Sequence, residues 1–421
     1  MKPEITTLAN GLRVLPIPIL GSETVTVLVL VKAGSRYETP ETNGLSHFLE
    51  HMCFKGTPKR PSAFVISNEL ESIGAISNAF TGQEVTGYFA KGLSEHFEQI
   101  TDVISDIYQN SLFPEGEIEK EKGVIIEEIN MYEDIPQALV EYDIYKLMFG
   151  DTPLGWRIGG FKEVVSTFTR ENLLEYYTRR YIPEETLLVM AGNVTTDQAL
   201  ELSKKYFATL DTKSPDQDSS IEIEQTEPRV SIRKRVNDQT YISIGFRAFS
   251  SYDPRLPVLE VLAGVLAHGM ASRLFQILRE EMGACYYVNA SVHSYREEGF
   301  LEISAGVDTK RLHEVIVRIY AECQKLKTEL VSEAELSRVK EYNVGSIKLG
   351  LESSNAQAMF YGEQAILKKP LQTPSETADE IRKVTPEALQ TLAGELFRPE
   401  HANLVIVGPE GDENALRSIF V

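Results

Sequence analysis

Apolar residues fall along this chain in two rhythms, and their order predicts an α+β fold made twice. Near the start, Leu8-Ala9-Asn10-Gly11-Leu12-Arg13-Val14 sets apolar positions on either side of an Asn-Gly pair, which reads as a hairpin turn. Thr24 to Lys32 is a β-branched run suited to a buried strand. Gly74 to Thr81 and Glu84 to Lys91 read as two adjacent strands, and Glu185 to Gly192 as another. The intervening stretches carry apolar residues at three- and four-residue steps. They predict helices over Ser62 to Ile73, Ser94 to Tyr108, Glu115 to Glu133, Pro136 to Met148, Arg170 to Tyr181 and Thr196 to Leu210.

Composition then changes. Asp211 to Pro228 contains Lys213-Ser214-Pro215-Asp216-Gln217-Asp218-Ser219-Ser220 and has little to bury. Beyond it the first pattern returns: Gln239 to Arg247 answers Val25 to Lys32, Arg311 to Leu326 answers Leu93 to Tyr108, and Ala402 to Gly408 answers Thr186 to Gly192. The expected architecture is two homologous domains, residues 1–212 and 229–421, joined by a linker over 213–228. Each is a mostly antiparallel sheet with helices packed on one side.

A length of 421 residues suits two such domains, and 42% hydrophobic with 25% charged residues is the balance of a soluble globular chain. A formal net charge of −20 argues against nucleic acid as a partner, because phosphate binding wants a basic face. No apolar stretch reaches membrane-spanning length, so no membrane partner is expected. The opening residues run straight into the hairpin and do not read as a signal peptide. Three scattered cysteines (Cys53, Cys285, Cys323) imply no disulfide framework, and a cytoplasmic location is the expectation.

Candidate chemistry concentrates in Gly44-Leu45-Ser46-His47-Phe48-Leu49-Glu50-His51-Met52-Cys53. On a helix, His47 and His51 lie one turn apart on one face and can grip one metal ion, while Glu50 stands beside them as a base for water. Two neutral imidazoles leave a zinc ion short of a third ligand, with water in the open position. Only seven histidines occur in the chain, so this spacing is unusual, and its His-x-x-Glu-His order is the reverse of the commoner zinc motif. The carboxylate-rich stretch from Glu115 to Glu133 is mostly a solvated face. Glu121 and Glu128, seven apart, share one side of it, although spacing alone leaves Glu127 competing with Glu128. In the second half the motif is missing: where it should recur, Leu256 to Glu281 contains only His268, which reads as structural.

These residues resemble the zinc peptidases that include pitrilysin, insulin-degrading enzyme and the mitochondrial processing peptidases. The resemblance covers essentially the whole chain. It implies two glutamates after the motif at 69 and then 6 intervening residues, which here are Glu121 and Glu128. By that resemblance Glu128 is the third zinc ligand beside His47 and His51, one ion per chain, and Glu121 orients a ligand histidine. Glu50 is the general base. Asn78, Ala79 and Phe80 resemble the family's edge strand, which pairs with an extended peptide. Arg279 and Tyr286 resemble its Arg-x6-Tyr pair, which holds the substrate backbone and stabilises the oxyanion. Cys285 stands where a small residue such as Ala is expected.

The resemblance therefore implies a zinc endopeptidase acting on peptides or short unfolded segments inside a closed chamber. Because one chain carries both the metal motif and the Arg/Tyr pair, it further implies a homodimer with sites completed in trans. The alternatives it leaves are a processing peptidase that needs a separate partner subunit, and a non-catalytic scaffold subunit of the same fold.

Overall fold

A computed structural model describes residues 2–208, 210, 214–215, 220–221 and 223–421; the expected linker lies outside these residues at 213, 216–219 and 222. The opening hairpin forms as the Asn-Gly pair requires. β1 (Thr6–Thr7) pairs antiparallel with β2 (Arg13–Pro18), and Gly11 takes the positive φ of 89° that the turn needs. β3 (Thr24–Val31), β4 (Ile76–Thr81), β5 (Thr86–Leu93) and β6 (Thr186–Gly192) complete a six-stranded sheet in the order β1-β2-β6-β3-β5-β4. Only the β2–β6 pairing in it is parallel.

The alternation along β3 explains its depth. Val25, Val27, Val29 and Val31 enter one core with α1 (Leu45–Cys53), α2 (Ala63–Glu71) and α3 (Phe97–Gln109), while Leu28 and Leu30 enter another on the opposite face. A strand buried on both faces gains about 1.5–3 kcal/mol per large apolar side chain, which is why polar residues are nearly excluded from it. Ser62 Oγ caps α2 by accepting from the Val65 amide, placing the start of that helix one residue inside the predicted stretch.

Further along lie α4 (Glu115–Asp134), α5 (Pro136–Phe149), α6 (Lys162–Val165), α7 (Arg170–Arg180) and α8 (Thr196–Phe207). The second half supplies β7 (Arg229–Lys234), β8 (Thr240–Phe249), β9 (Cys285–Ser294), β10 (Glu298–Val307) and β11 (Ala402–Gly408), in the order β7-β11-β8-β10-β9. Its helices are α9 (Leu256–Ala267), α10 (Leu312–Thr328), α11 (Glu333–Gly350), α12 (Ser354–Ile366), α13 (Pro374–Lys383), α14 (Pro386–Leu396) and α15 (Glu413–Arg417), with a π-helical turn at Phe275–Glu281. Again only one pairing, β7–β11, is parallel.

The chain forms two compact units that are not collinear with its sequence. Residues 1–130, 156–219 and 349–373 make the first, and 131–155, 220–348 and 374–421 the second. Each sheet thus has one helix from the other half of the chain on its second face. In the first unit α12 lays Ala358, Tyr361 and Ala365 over Leu15, Leu28, Leu30 and Val189. A Cβ on Gly362 would come within 2.7 Å of Leu30, so glycine permits the close approach. In the second unit α5 packs Leu139, Val140 and Ile144 against Phe300, Val405 and Val407, and Arg233 grips Asp143 through two hydrogen bonds.

The segment after α1 is fixed by a buried cation. Arg60, 1% exposed, donates to Glu69, Asp102 and Asp106 at 2.8 Å each and so ties that segment to α2 and α3. Removing a partner from a buried ion cluster leaves the remaining charges uncompensated. Arg60→Ala is therefore expected to cost about 3–5 kcal/mol in urea unfolding, whereas a change under 1 kcal/mol would show the cluster to be incidental.

Candidate metal centre

One turn of α1 carries the centre. Leu45, Phe48, Leu49 and Met52 bury the inner face, which leaves His47 and His51 facing Glu128 of α4 and Glu50 reaching Thr81 at the end of β4. The helix starts without a side-chain cap of its own, because Gly44 occupies that position with φ 97°. The buried Glu38 caps it from the preceding loop instead. Its carboxylate accepts from the Gly44 amide at 2.8 Å, the Ser46 amide at 2.7 Å and Asn43 Nδ2 at 3.1 Å. Burial raises the Glu38 pKa, and these donors work against that rise. A carboxylate at a helix N-terminus also meets the positive end of the helix dipole.

His47 and His51 sit with ring centroids 4.6 Å apart, and each Nε2 lies 3.7 Å from Glu128 Oε2. One donor atom from each of the three residues falls within 4.8 Å of the others, the only such group among the described residues. Tetrahedral zinc with bonds of ~2.0–2.2 Å sets its ligand atoms ~3.3–3.6 Å apart, so two imidazoles and one carboxylate at these separations fit the ion with little movement. Glu128 therefore lies within reach, and it is the carboxylate that belongs to the cluster rather than Glu127.

Behind the donors runs a chain of charges. Glu121 Oε1 accepts from His51 Nδ1 at 2.8 Å, and Lys55 Nζ stands 2.6 Å from Glu121 Oε2. This fixes the His51 ring and directs its other nitrogen toward Glu128. Burial penalises the Glu121 charge, but His51 and Lys55 outweigh that and lower its pKa. Burial likewise disfavours charged His51, yet the Glu121 hydrogen bond and the surrounding carboxylates raise its pKa on balance. Among the described residues His47 Nδ1 has no such partner. Burial, with His51 beside it, pushes it down to about 3, the neutral form a metal needs. Burial also raises Glu50, whose carboxylate accepts from Thr81 Oγ1 at 2.5 Å.

Glu38, Lys55 and Thr81 were not singled out by sequence reasoning. Lys55 stands four residues past His51, a helical step that could have pointed to it, although α1 ends at Cys53. Glu38 belongs to an irregular loop without periodicity, and Thr81 closes a strand whose neighbours drew the attention.

Of the other predicted residues, Asn78, Ala79, Phe80 and Tyr286 lie on edge strands. Asn78, Ala79 and Phe80 are on β4, the outer strand of the first sheet; Asn78 is exposed, and the Phe80 ring covers Gly87, where a Cβ would come within 2.4 Å of it. Arg279, in the π-helical turn, donates through Nη1 to the Tyr286 carbonyl at 2.9 Å, and its guanidinium lies over the Phe275 and Tyr286 rings. Tyr286 is the second residue of β9, the outer strand of the second sheet, and is 72% exposed. His268 lies with its two nitrogens 3.0 Å from Asn343 Oδ1 and 3.0 Å from the Ala290 carbonyl, in a structural setting.

Residues 18–160 match the insulinase family (peptidase family M16), and residues 167–343 match the peptidase M16 inactive domain. A Bacillus subtilis protein named "uncharacterized zinc protease YmxG" is 35% identical over 406 residues, covering 96% of this chain and 98% of its own. A Rickettsia felis "uncharacterized zinc protease" is 32% identical, with 96% and 97% covered. Among solved structures, a protease from Helicobacter pylori superposes with a TM-score of 0.91 at 22% identity, covering 97% of this chain and 99% of that one. A chain of Complex III2 from Candida albicans gives 0.85 at 18% identity, with 99% of each chain covered.

The charge chain behind His51 makes a prediction. Zinc affinity, measured by competition with a chromogenic chelator, should fall as pH drops through the His51 pKa, because the ion must then displace a proton. Glu121→Gln is expected to weaken binding ~10–100-fold. It should also move that fall to lower pH, since the partner that raises His51 is gone. An unchanged pH profile would show that Glu121 does not govern the histidine.

Proposed function

The chain belongs to the insulinase family of peptidases, family M16, and from that premise we propose that it is a zinc endopeptidase cleaving peptides or short unfolded segments. The observation that carries this reading is the convergence of His47, His51 and Glu128 donor atoms within 4.8 Å, with Glu50 beside them. A zinc ion held by these three residues would supply the Lewis acidity that peptide-bond hydrolysis requires. Glu50 takes a proton from the attacking water and returns it to the leaving amine. Burial keeps its pKa above that of an ordinary carboxylate, which suits a group that must both accept and release a proton.

An extended substrate is held by strand addition along the outer edge of β4, at Asn78, Ala79 and Phe80. Arg279 and Tyr286 hold the substrate backbone and donate to the oxyanion. Their exposure, Tyr286 on an edge strand and Arg279 in the helical turn before it, supports that role, since neither side chain is committed to a core. We extend the proposal to a homodimer in which the metal-bearing half of one chain and the Arg/Tyr half of the other enclose a chamber. The described cysteines are all unpaired, in keeping with the cytoplasm as its location. The intact ligand set favours catalysis over a non-catalytic scaffold role.

Cleavage of a mixed peptide library should be abolished by chelation, restored by zinc, and lost in Glu50→Gln with metal content near one ion per chain. Retained cleavage in Glu50→Gln would overturn the mechanism. Co-refolded Glu50→Gln and Arg279→Ala chains should regain part of the activity; mixtures that stay inactive would overturn completion in trans.

A further inference from the structure

Thr81 is the last residue of β4, and it shares a strand face with Ala79, two positions back, which packs toward the α1 core. Its hydroxyl donates to Glu50 Oε2 at 2.5 Å. Among the described residues no other group donates to that carboxylate, so one oxygen is held and the other is left for water. The donor is itself fixed by backbone. Beyond Thr81 the chain turns through Gly82 and Gln83, and the Gln83 carbonyl accepts from the Arg36 amide at 2.9 Å. The residue after Gly82–Gln83, Glu84, is buried and ion-paired to Arg36 at 3.5 Å. Gly34 lies so close to this turn that a Cβ would meet the Gly82 carbonyl at 2.4 Å. Across the hairpin Thr86 donates to the Ala33 carbonyl at 3.1 Å. The loop that leads into α1 therefore clamps the turn that carries Thr81.

We infer that Thr81 is a positioning residue for the general base: it orients the Glu50 carboxylate and ties that orientation to the strand on which the substrate lies. This inference rests on the peptidase reading above. One strand then sets both the register of the peptide, through Asn78 to Phe80, and the orientation of the base that serves its scissile bond. A preorganised donor of this kind acts on the chemical step rather than on substrate affinity.

The alternative role, a hydrogen bond that merely holds β4 against α1, would act on stability and on KM. Thr81→Val keeps the shape and removes the donor, while Thr81→Ser keeps the donor. With a zinc-loaded wild type that cleaves a fluorogenic peptide and loses cleavage in Glu50→Gln, Thr81→Val is expected to lower kcat ~10- to 100-fold, the size of a lost hydrogen bond to a charged group. KM, zinc content and melting temperature should stay near wild type, and Thr81→Ser should recover most of the loss. Crystal structures should show the Glu50 carboxylate reoriented in Thr81→Val and unmoved in Thr81→Ser. A Thr81→Val enzyme with wild-type kcat, equal loss in both variants, or a loss carried by KM, melting temperature or zinc content would overturn the inference. A wild type without chelator-sensitive cleavage would instead remove the peptidase reading, and this inference with it.

Discussion

The constraint on which the first unit depends is that the donor atoms of His47, His51 and Glu128, on two helices, stay within 4.8 Å of one another at partly buried positions. Burial acts on such a set in two directions: desolvation keeps an imidazole neutral, as a metal ligand must be, but it disfavours the carboxylate charges beside it. The fold answers with pairings at each step. Lys55 compensates Glu121, Glu121 orients His51, and His47 is left neutral by burial. At the other end of α1 the Glu38 carboxylate satisfies amides that the helix cannot bond internally. Arg60 then fastens the segment that follows the helix. The motif is short, but its geometry is held by residues spread from Glu38 to Glu128.

The second unit shows what the same architecture does without that demand. Its sheet order, single parallel pairing and helix on the second face reproduce the first. Where the first unit presents the His47, His51 and Glu128 cluster, α9 is a nearly continuous apolar helix followed by a π-helical turn. Its candidate functional groups sit instead at the sheet edge, Arg279 clasping the start of β9. In each unit residues proposed for substrate thus lie on an outer strand, Asn78 to Phe80 on β4 and Tyr286 on β9, where backbone groups remain open to pairing.

Much of this was legible in the sequence because it depends on period. The unbroken Thr24–Val31 run, the helical steps over Phe97, Ile100, Ile104 and Ile107, and the repeat of both in the second half gave strands, helices and duplication. The histidine spacing was legible for the same reason, since a turn of helix is a local rule. Choosing Glu128 over Glu127 needed the family resemblance, because adjacent residues on a helix differ by rotation and only the facing helix says which is right. The placement of α5 and α12 on the opposite sheets was not legible: α12 was not among the predicted helices, and the period of α5 says that it has an apolar face but not which sheet that face meets. Glu38 and Thr81 were illegible for a related reason, as each acts through a contact between segments that no spacing rule connects.

The central claim is that His47, His51 and Glu128 together hold one zinc ion. X-ray absorption at the zinc edge on the metal-loaded chain, beside His47→Ala, His51→Ala and Glu128→Gln, tests it most directly. The account predicts two imidazole nitrogens and oxygen ligands at ~2.0–2.2 Å, with no sulfur, and a nitrogen shell that loses one imidazole in either histidine variant. A zinc site with a sulfur ligand, or a spectrum unchanged by loss of either histidine, would contradict it.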